Sequence, residues 1–178
     1  WKDYMVSMGF GYALGVDLPG EKRGMIPNAP YYDKAYRGSW NGLTVISISI
    51  GQGEVNATPL QIANLGATIA NRGWFITPHV VKDIQDEELD SLYTTRRYTM
   101  SDPSNYEYVV QGMRQAVLAG TCRGANSPLY EVCGKTGTAQ NPHGYDHSVF
   151  ICFAPRDNPK IAVAAYVENG GFGATWAA

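Results

Sequence analysis

Residues 161–167 read Ile-Ala-Val-Ala-Ala-Tyr-Val, apolar on both faces of any extended segment. A strand that is apolar on both sides has to be covered on both sides. That argues for the middle of a sheet with helices packed over it. The preceding residues 155–159 (Pro-Arg-Asp-Asn-Pro) are a turn, and 148–154 (SVFICFA) form a second strand candidate that makes a hairpin with the first. Residues 129–139 are a third strand candidate.

Helices come earlier in the chain. Thr58-Pro59-Leu60-Gln61 carries an N-cap threonine, proline at the first helical position and glutamine three residues after the cap. Ile62, Leu65 and Ile69 follow at helical spacing with Gly66 on the same face, and Gly73 stops the helix after Asn71 and Arg72. A second helix is predicted from Ser104, with Glu107 completing a capping box and Tyr106, Val109, Val110, Met113 and Val117 on one face, ending at Gly120. The β-branched run 43–50 predicts a short extended segment closed by Gly51-Gln52-Gly53, and 80–84 predicts another strand. Residues 1–42 read mostly as loop, with a tyrosine cluster at Tyr31, Tyr32 and Tyr36, and 85–98 as an exposed connection. Helices first and an antiparallel hairpin last predict an α+β fold, helices packed on an antiparallel sheet. No internal repeat or low-complexity tract is present.

The 178 residues suffice for one domain with a real core, and a hydrophobic share of 44% with 17% charged residues fits an ordinary folded protein. A net charge of -2 and the lack of a basic stripe argue against a nucleic-acid partner. No apolar run approaches the ~20 residues of a membrane helix. The chain opens at Trp1 without a methionine and closes at Ala178 without a stop signal, so both ends read as cuts through a larger protein. His79, His143 and His147 form no metal pattern and read as loop or strand-edge residues. Cys122, Cys133 and Cys152 lack zinc-site spacing, which leaves two readings: three buried small side chains, or one disulfide and a free thiol.

The chemistry concentrates in Gly134-Lys135-Thr136-Gly137-Thr138-Ala139-Gln140. On a strand, alternate residues face the same way, so Thr136 and Thr138 share a face and Lys135 starts on the other. A glycine inside a strand marks close approach by another backbone or a ligand. A cation flanked by hydroxyls suits a carboxylate. A bare Lys-Thr-Gly could equally be a solvated sheet edge, so the tripeptide alone says little.

Its context says more. Lys-Thr-Gly is one of three motifs shared by penicillin-binding proteins and class A β-lactamases. Downstream stand Asp146-His147-Ser148-Val149-Phe150, Phe153-Ala154-Pro155 and Val167-Glu168-Asn169-Gly170-Gly171. Upstream stand Gly9-Phe10-Gly11, Asp17-Leu18-Pro19-Gly20-Glu21, Gly51-Gln52-Gly53, Thr58-Pro59-Leu60-Gln61 and Ile69-Ala70-Asn71-Arg72-Gly73. In this order they resemble the class B penicillin-binding proteins, in particular the penicillin-binding protein 2 type, from about Tyr4 to Gly171. The resemblance implies the transpeptidase and serine β-lactamase-like fold, a helix-flanked five-stranded antiparallel sheet, here incomplete. It implies residues 1–178 as the C-terminal portion of a single transpeptidase domain. It also implies a serine enzyme that acylates itself on peptidoglycan stem peptides, is trapped by β-lactams and needs no cofactor. Lys135 and Thr138 are the implied catalytic positions. Lys135 places the substrate, the Thr136 and Thr138 hydroxyls hold its carboxylate, Gly137 leaves room for it, and the Thr138 N–H is half of an oxyanion hole. The resemblance sets the segments around Cys122 and Cys133 side by side, so a disulfide there is an expectation, with Cys152 a buried free thiol.

Two motifs of the family are missing. None of the nine serines (Ser7, Ser39, Ser47, Ser49, Ser91, Ser101, Ser104, Ser127, Ser148) has lysine three residues on. The one Ser-x-Asn, Ser39-Trp40-Asn41, falls after Gly9-Phe10-Gly11 rather than before it. The nucleophile and its base are therefore expected outside these residues, and the chain alone is expected to be inactive. The implied setting is the periplasmic face of the cytoplasmic membrane, reached through a segment outside this chain, with a glycosyltransferase and other cell-elongation proteins as partners. A penicillin-binding-like sensor or silent scaffold is the alternative; a Ser-x-x-Lys upstream of Trp1 would decide between them.

Overall fold

A computed structural model describes all residues, 1–178. Three strands form the main sheet: β3 (Cys133–Ala139), β4 (His147–Ala154) and β5 (Ile161–Val167). They are antiparallel in the order β3-β4-β5, with Lys135 opposite Ile151 and Ile151 opposite Ala164. The α+β reading holds, and the hairpin lies where the sequence puts it. The double-apolar strand is displaced, however: β4 is central and β5 lies at an edge, with Ile161, Val163 and Tyr166 exposed. Hairpin connectivity puts β4 between its neighbours, and the alanines of β5 let a helix approach it closely, with Ala162 Cβ 3.5 Å from where a Cβ on Gly66 would stand. Three strands stand here where the resemblance implies five.

Helix α4 (Pro59–Ala70) starts as its sequence predicts, with Thr58 Oγ1 accepting the Gln61 N–H and Gln61 Oε1 accepting the Thr58 N–H. It ends at Arg72 and Gly73, both at positive φ; a Cβ on Gly73 would come within 2.8 Å of the Tyr106 ring. Helix α5 (Pro103–Leu118) buries Tyr106, Val110, Met113 and Val117 but leaves Val109 exposed. Its cap is Asp102 rather than Ser104: the Asp102 carboxylate accepts the Ser104 N–H, and Pro103 takes the first helical position. Glu107, expected in a capping box, pairs with Arg156 at 3.0 Å and Arg72 at 3.3 Å.

The helices cover one sheet face, where Ile69 and Ala70 of α4 and Tyr106, Val110 and Met113 of α5 meet Cys133 and Phe153. On the other face Val117, Cys122, Val132, Phe150 and Ala154 cluster, with Cys152 and the terminal Ala177 and Ala178 packed against them. A short α6 (Gly173–Trp176) lies on that side.

Other segments depart from expectation. Residues 43–50 belong to helix α3 (Gly42–Ser49), because Asn41 caps it, accepting the Leu43 N–H while Thr44 Oγ1 accepts the Asn41 N–H. Local capping overrides the β-branched composition. No strand forms at 80–84, because the Val80 and Val81 N–H groups donate to the Asp17 carboxylate at 2.8–2.9 Å instead of to a ladder. These two bonds, Val81 first, hold the Asp17 carboxyl below its ordinary value. The 1–42 stretch contains two helices, α1 (Lys2–Ser7) and α2 (Ala29–Tyr36), the latter capped by Asn28 with Pro30 in its first turn. Beside α4, β1 (Trp74–Phe75) pairs with β2 (Arg97–Tyr98). No helix is long and apolar enough to cross a membrane.

Candidate functional site

The Lys135–Thr138 run lies on β3, the edge strand opposite β5, so one flank of its backbone is free of β4. Thr136 and Thr138 face one side and Lys135 and Gly137 the other, as strand alternation requires. The Thr136 hydroxyl is 2.8 Å from the Thr121 hydroxyl. The Thr138 hydroxyl accepts the Gly173 N–H at 3.4 Å. The exposed Lys135 side chain curls to the strand edge, where Nζ donates to the Thr136 carbonyl at 2.8 Å.

The two glycines of the run act differently. A Cβ on Gly134 would come within 2.7 Å of the Phe150 ring, so Gly134 is set by packing. A Cβ on Gly137 would meet nothing nearer than Val149 Cβ at 3.5 Å, so Gly137 is open on the surface of the strand.

Beside Gly137 lies a cleft of about 580 Å³. One wall is the end of β3 and β4 with Tyr166 of β5; the other is the Gly51-Gln52 turn and the start of α4. Gly51 and Gly53 have φ of 78° and 67°, so these glycines make the turn that brings that wall in. The cleft takes in Gly137 and Thr138 but not Lys135 or Thr136. The four residues singled out in the sequence thus share a strand, and two of them share the cleft.

A residue not singled out as a site, His147, also lines this cleft. Its Nδ1 accepts the Asn169 backbone N–H at 3.0 Å, and its ring lies 5.5 Å from that of Tyr166. Burial, then Glu168, raises the pKa of Tyr166. The segment 169–173 crosses the end of the sheet and is tied at several points. Asn141 Nδ2 donates to Asn169 Oδ1, Gly171 N–H donates to the Asp146 carbonyl, and Ser148 Oγ donates to the Gly171 carbonyl. Gly173 sits so close that a Cβ would overlap the Gly137 carbonyl. The Asp146-His147-Ser148 and Asn169-Gly170-Gly171 runs are the signals in the sequence for this network.

The expected Cys122–Cys133 bridge is not formed: all three cysteines are free. Cys122 and Cys133 belong to separate clusters on opposite faces of the sheet, which accounts for its absence. Cys152 is free as expected, but half-buried rather than buried. Burial pushes the Cys133 thiol up to about 11. The Ser39-Trp40-Asn41 triplet is structural, since Asn41 caps α3 and the Trp40 indole N–H donates to Asp33 at 2.7 Å. The tyrosine cluster is also tied inward: the Tyr32 and Tyr36 hydroxyls both donate to Glu54, whose carboxyl they hold below its ordinary value, Tyr36 first.

Comparison with known proteins agrees with this architecture. The family model described as the penicillin binding protein transpeptidase domain matches residues 1–178. The peptidoglycan D,D-transpeptidase MrdA of Acinetobacter baumannii is 35% identical over 196 residues, covering 96% of this chain and 28% of that protein. The structure of Pseudomonas aeruginosa PBP2 in complex with WCK 5153 superposes with a TM-score of 0.84 at 38% identity, covering 96% of this chain and 38% of that one. Helicobacter pylori PBP2, solved in complex with MreC, gives 0.81 at 27% identity, covering 95% of this chain and 31% of that one. The chain therefore spans well under half the length of these relatives. On the match over its whole length, this chain belongs to the penicillin-binding protein transpeptidase domain family.

Proposed function

We propose that the protein carrying this chain is a serine-type peptidoglycan D,D-transpeptidase, and that β3 is the substrate-holding wall of its active site. The observation that carries this reading is the Lys135–Thr138 run on an edge strand, with Gly137 and Thr138 open to a cleft of about 580 Å³. A serine outside these residues bonds the penultimate D-Ala carbonyl carbon of a stem peptide and expels the terminal D-Ala. An amine of a neighbouring stem peptide then attacks the ester and frees the serine. Lys135 supplies positive potential, the Thr136 and Thr138 hydroxyls bind the substrate carboxylate, and the Thr138 N–H supports the developing oxyanion. Gly137 lets the ligand lie against the strand. β-Lactams acylate the same serine.

The PBP2 structure with MreC supports a place among cell-elongation proteins, and the similar structure of a peptidoglycan synthase complex that coordinates polymerization with crosslinking supports a glycosyltransferase as a partner. The working location is the periplasmic face of the cytoplasmic membrane, with the anchor outside this chain. Residues 1–178 alone do not form a penicillin adduct, because none of the nine serines has a lysine base three residues on.

The test is labelling with a fluorescent penicillin followed by a denaturing gel. The whole protein should label, and Lys135→Ala should slow its acylation about ten- to a hundredfold, the loss of a charge-assisted contact to a carboxylate. An unchanged rate in Lys135→Ala would overturn the role given to Lys135. A labelled band at the mass of residues 1–178 would overturn the assignment of the nucleophile to another part of the protein.

A further inference from the structure

His147 opens β4 directly opposite Ala139, one pair from the Thr138–Ser148 pair. Its Nδ1 takes the Asn169 N–H, so that nitrogen has to carry a lone pair. In the neutral ring the proton then sits on Nε2. Asn169 begins the strap that runs to Gly173, and Gly173 N–H is the hydrogen-bond donor to the Thr138 hydroxyl. Ser148 and Asp146, the two neighbours of His147 in the chain, hold the same strap at Gly171. The imidazole is therefore the first of a short series of ties that ends on Thr138.

We propose that His147 is a positioning residue: as a neutral imidazole it pins the Asn169–Gly173 strap over the end of β3, and so fixes Thr138 through its hydroxyl, from the face of β3 that turns away from the cleft. This rests on the transpeptidase reading for its catalytic consequence, while the pinning itself stands on the structure alone. Protonation gives Nδ1 a hydrogen in place of its lone pair and turns the acceptor into a second donor facing the Asn169 N–H. The strap loosens, and Thr138 loses a fixed partner. The ring's one aromatic neighbour is Tyr166 of β5, tilted at 42° to it; the other ionisable residues of the adjoining segments are Glu168 just past the end of β5, and Asp146 and the exposed His143 in the loop before β4. The far wall of the cleft, from Ile50 to Ile62, brings no ionisable side chain to it.

Asparagine can place its Oδ1 where Nδ1 stands and has no titratable group, whereas phenylalanine keeps the ring and removes the acceptor. In the whole protein, His147→Phe should lower the second-order rate constant for β-lactam acylation about tenfold, and His147→Asn should stay within about twofold of the native protein. The native rate should fall along a one-proton limb on the acid side, and His147→Asn should lack that limb. Amide exchange, read at Asn169, should show protection in the native protein and His147→Asn and lose it in His147→Phe. If the native protein takes no β-lactam, the transpeptidase reading fails and the exchange result alone decides the pinning. Should His147→Phe fail to fold, the acid limb and its absence in His147→Asn decide. Native rates in His147→Phe with unchanged Asn169 protection, or the same acid limb in His147→Asn, would overturn the inference.

Discussion

Helices α3 and α4 follow each other in the chain, are similarly rich in apolar residues and begin in the same way, each with a two-way capping box. They differ in what they touch. Helix α4 buries Gln61, Asn64, Gly66, Thr68, Ile69 and Ala70 against the sheet and its neighbours. Helix α3 buries only Ile48 and leaves Leu43 74% and Ile46 59% exposed. The contrast separates two decisions that a sequence makes. Capping settles where a helix begins, because it satisfies backbone N–H groups that the helix cannot satisfy itself. Packing settles how much stability rests on it, since short helices are marginal without tertiary contacts.

The sharpest way to break this contrast is at Gln61, which is 1% exposed. Its Nε2 donates to the Tyr12 and Arg23 carbonyls at 3.1 and 3.0 Å, tying the irregular segment near the N-terminus onto α4. Gln61→Leu removes those bonds and leaves two carbonyls and the Thr58 N–H without partners, at a cost of about 2–5 kcal/mol in denaturant unfolding. A loss under about 1 kcal/mol would mean that α4 is no better anchored than α3.

The caps give a matched pair. Thr58→Ala should cost about 1 kcal/mol of global stability. Asn41→Ala should leave the global transition in place and speed amide exchange only in the α3 residues, because local opening of α3 exposes little packed surface. Equal global losses in the two variants would dissolve the distinction.

The smallest effect is expected at the C-terminal end of α4, where Arg72 and Arg156 both pair with Glu107 on α5. Arg156 first, then Arg72, holds the Glu107 carboxyl below its ordinary value. A depressed carboxylate contributes stability above its unfolded pKa and loses it as pH falls through the folded one. Because Glu107 is partly exposed, Glu107→Gln should lower Tm near neutrality by about 2 °C or less and flatten part of the acid-side decline. A steeper decline in the variant would contradict the sign.

How much was legible follows the same division. The cap of α4, the hairpin and the alternation of Thr136 and Thr138 could be read because each depends on neighbours in sequence. The Asp102-Pro103 start of α5 and the Asn28 cap of α2 carried equally local signals, but they were outweighed by Ser104–Glu107 and by the Gly- and Pro-rich composition. The run 43–50 misled because Ile and Val favour strands only where a neighbouring strand can pair, and here Asn41 had already committed the backbone. The failure at 80–84 has a long-range cause: Asp17, far back in the chain, satisfies the N–H groups that a ladder would use. The role of His147 was hidden for the same reason, since its partner Asn169 is reached only when β5 has returned alongside β4. The position of Lys135 outside the cleft also depends on the edge geometry of β3, which no motif encodes.

The three free thiols give this molecule a built-in clock. Cys133 lies in the α4–α5 cluster and Cys122 in the cluster on the opposite face, both shielded from solvent. A thiol reagent reaches them only when the surrounding packing separates, and only the thiolate reacts. With Cys133 pushed up to about 11, reaction at that position near neutral pH registers opening events that restore solvent to it. Counting adducts at Cys133 and Cys122 over time would therefore give two opening rates, one for each face of the sheet, in a single sample and without any substitution.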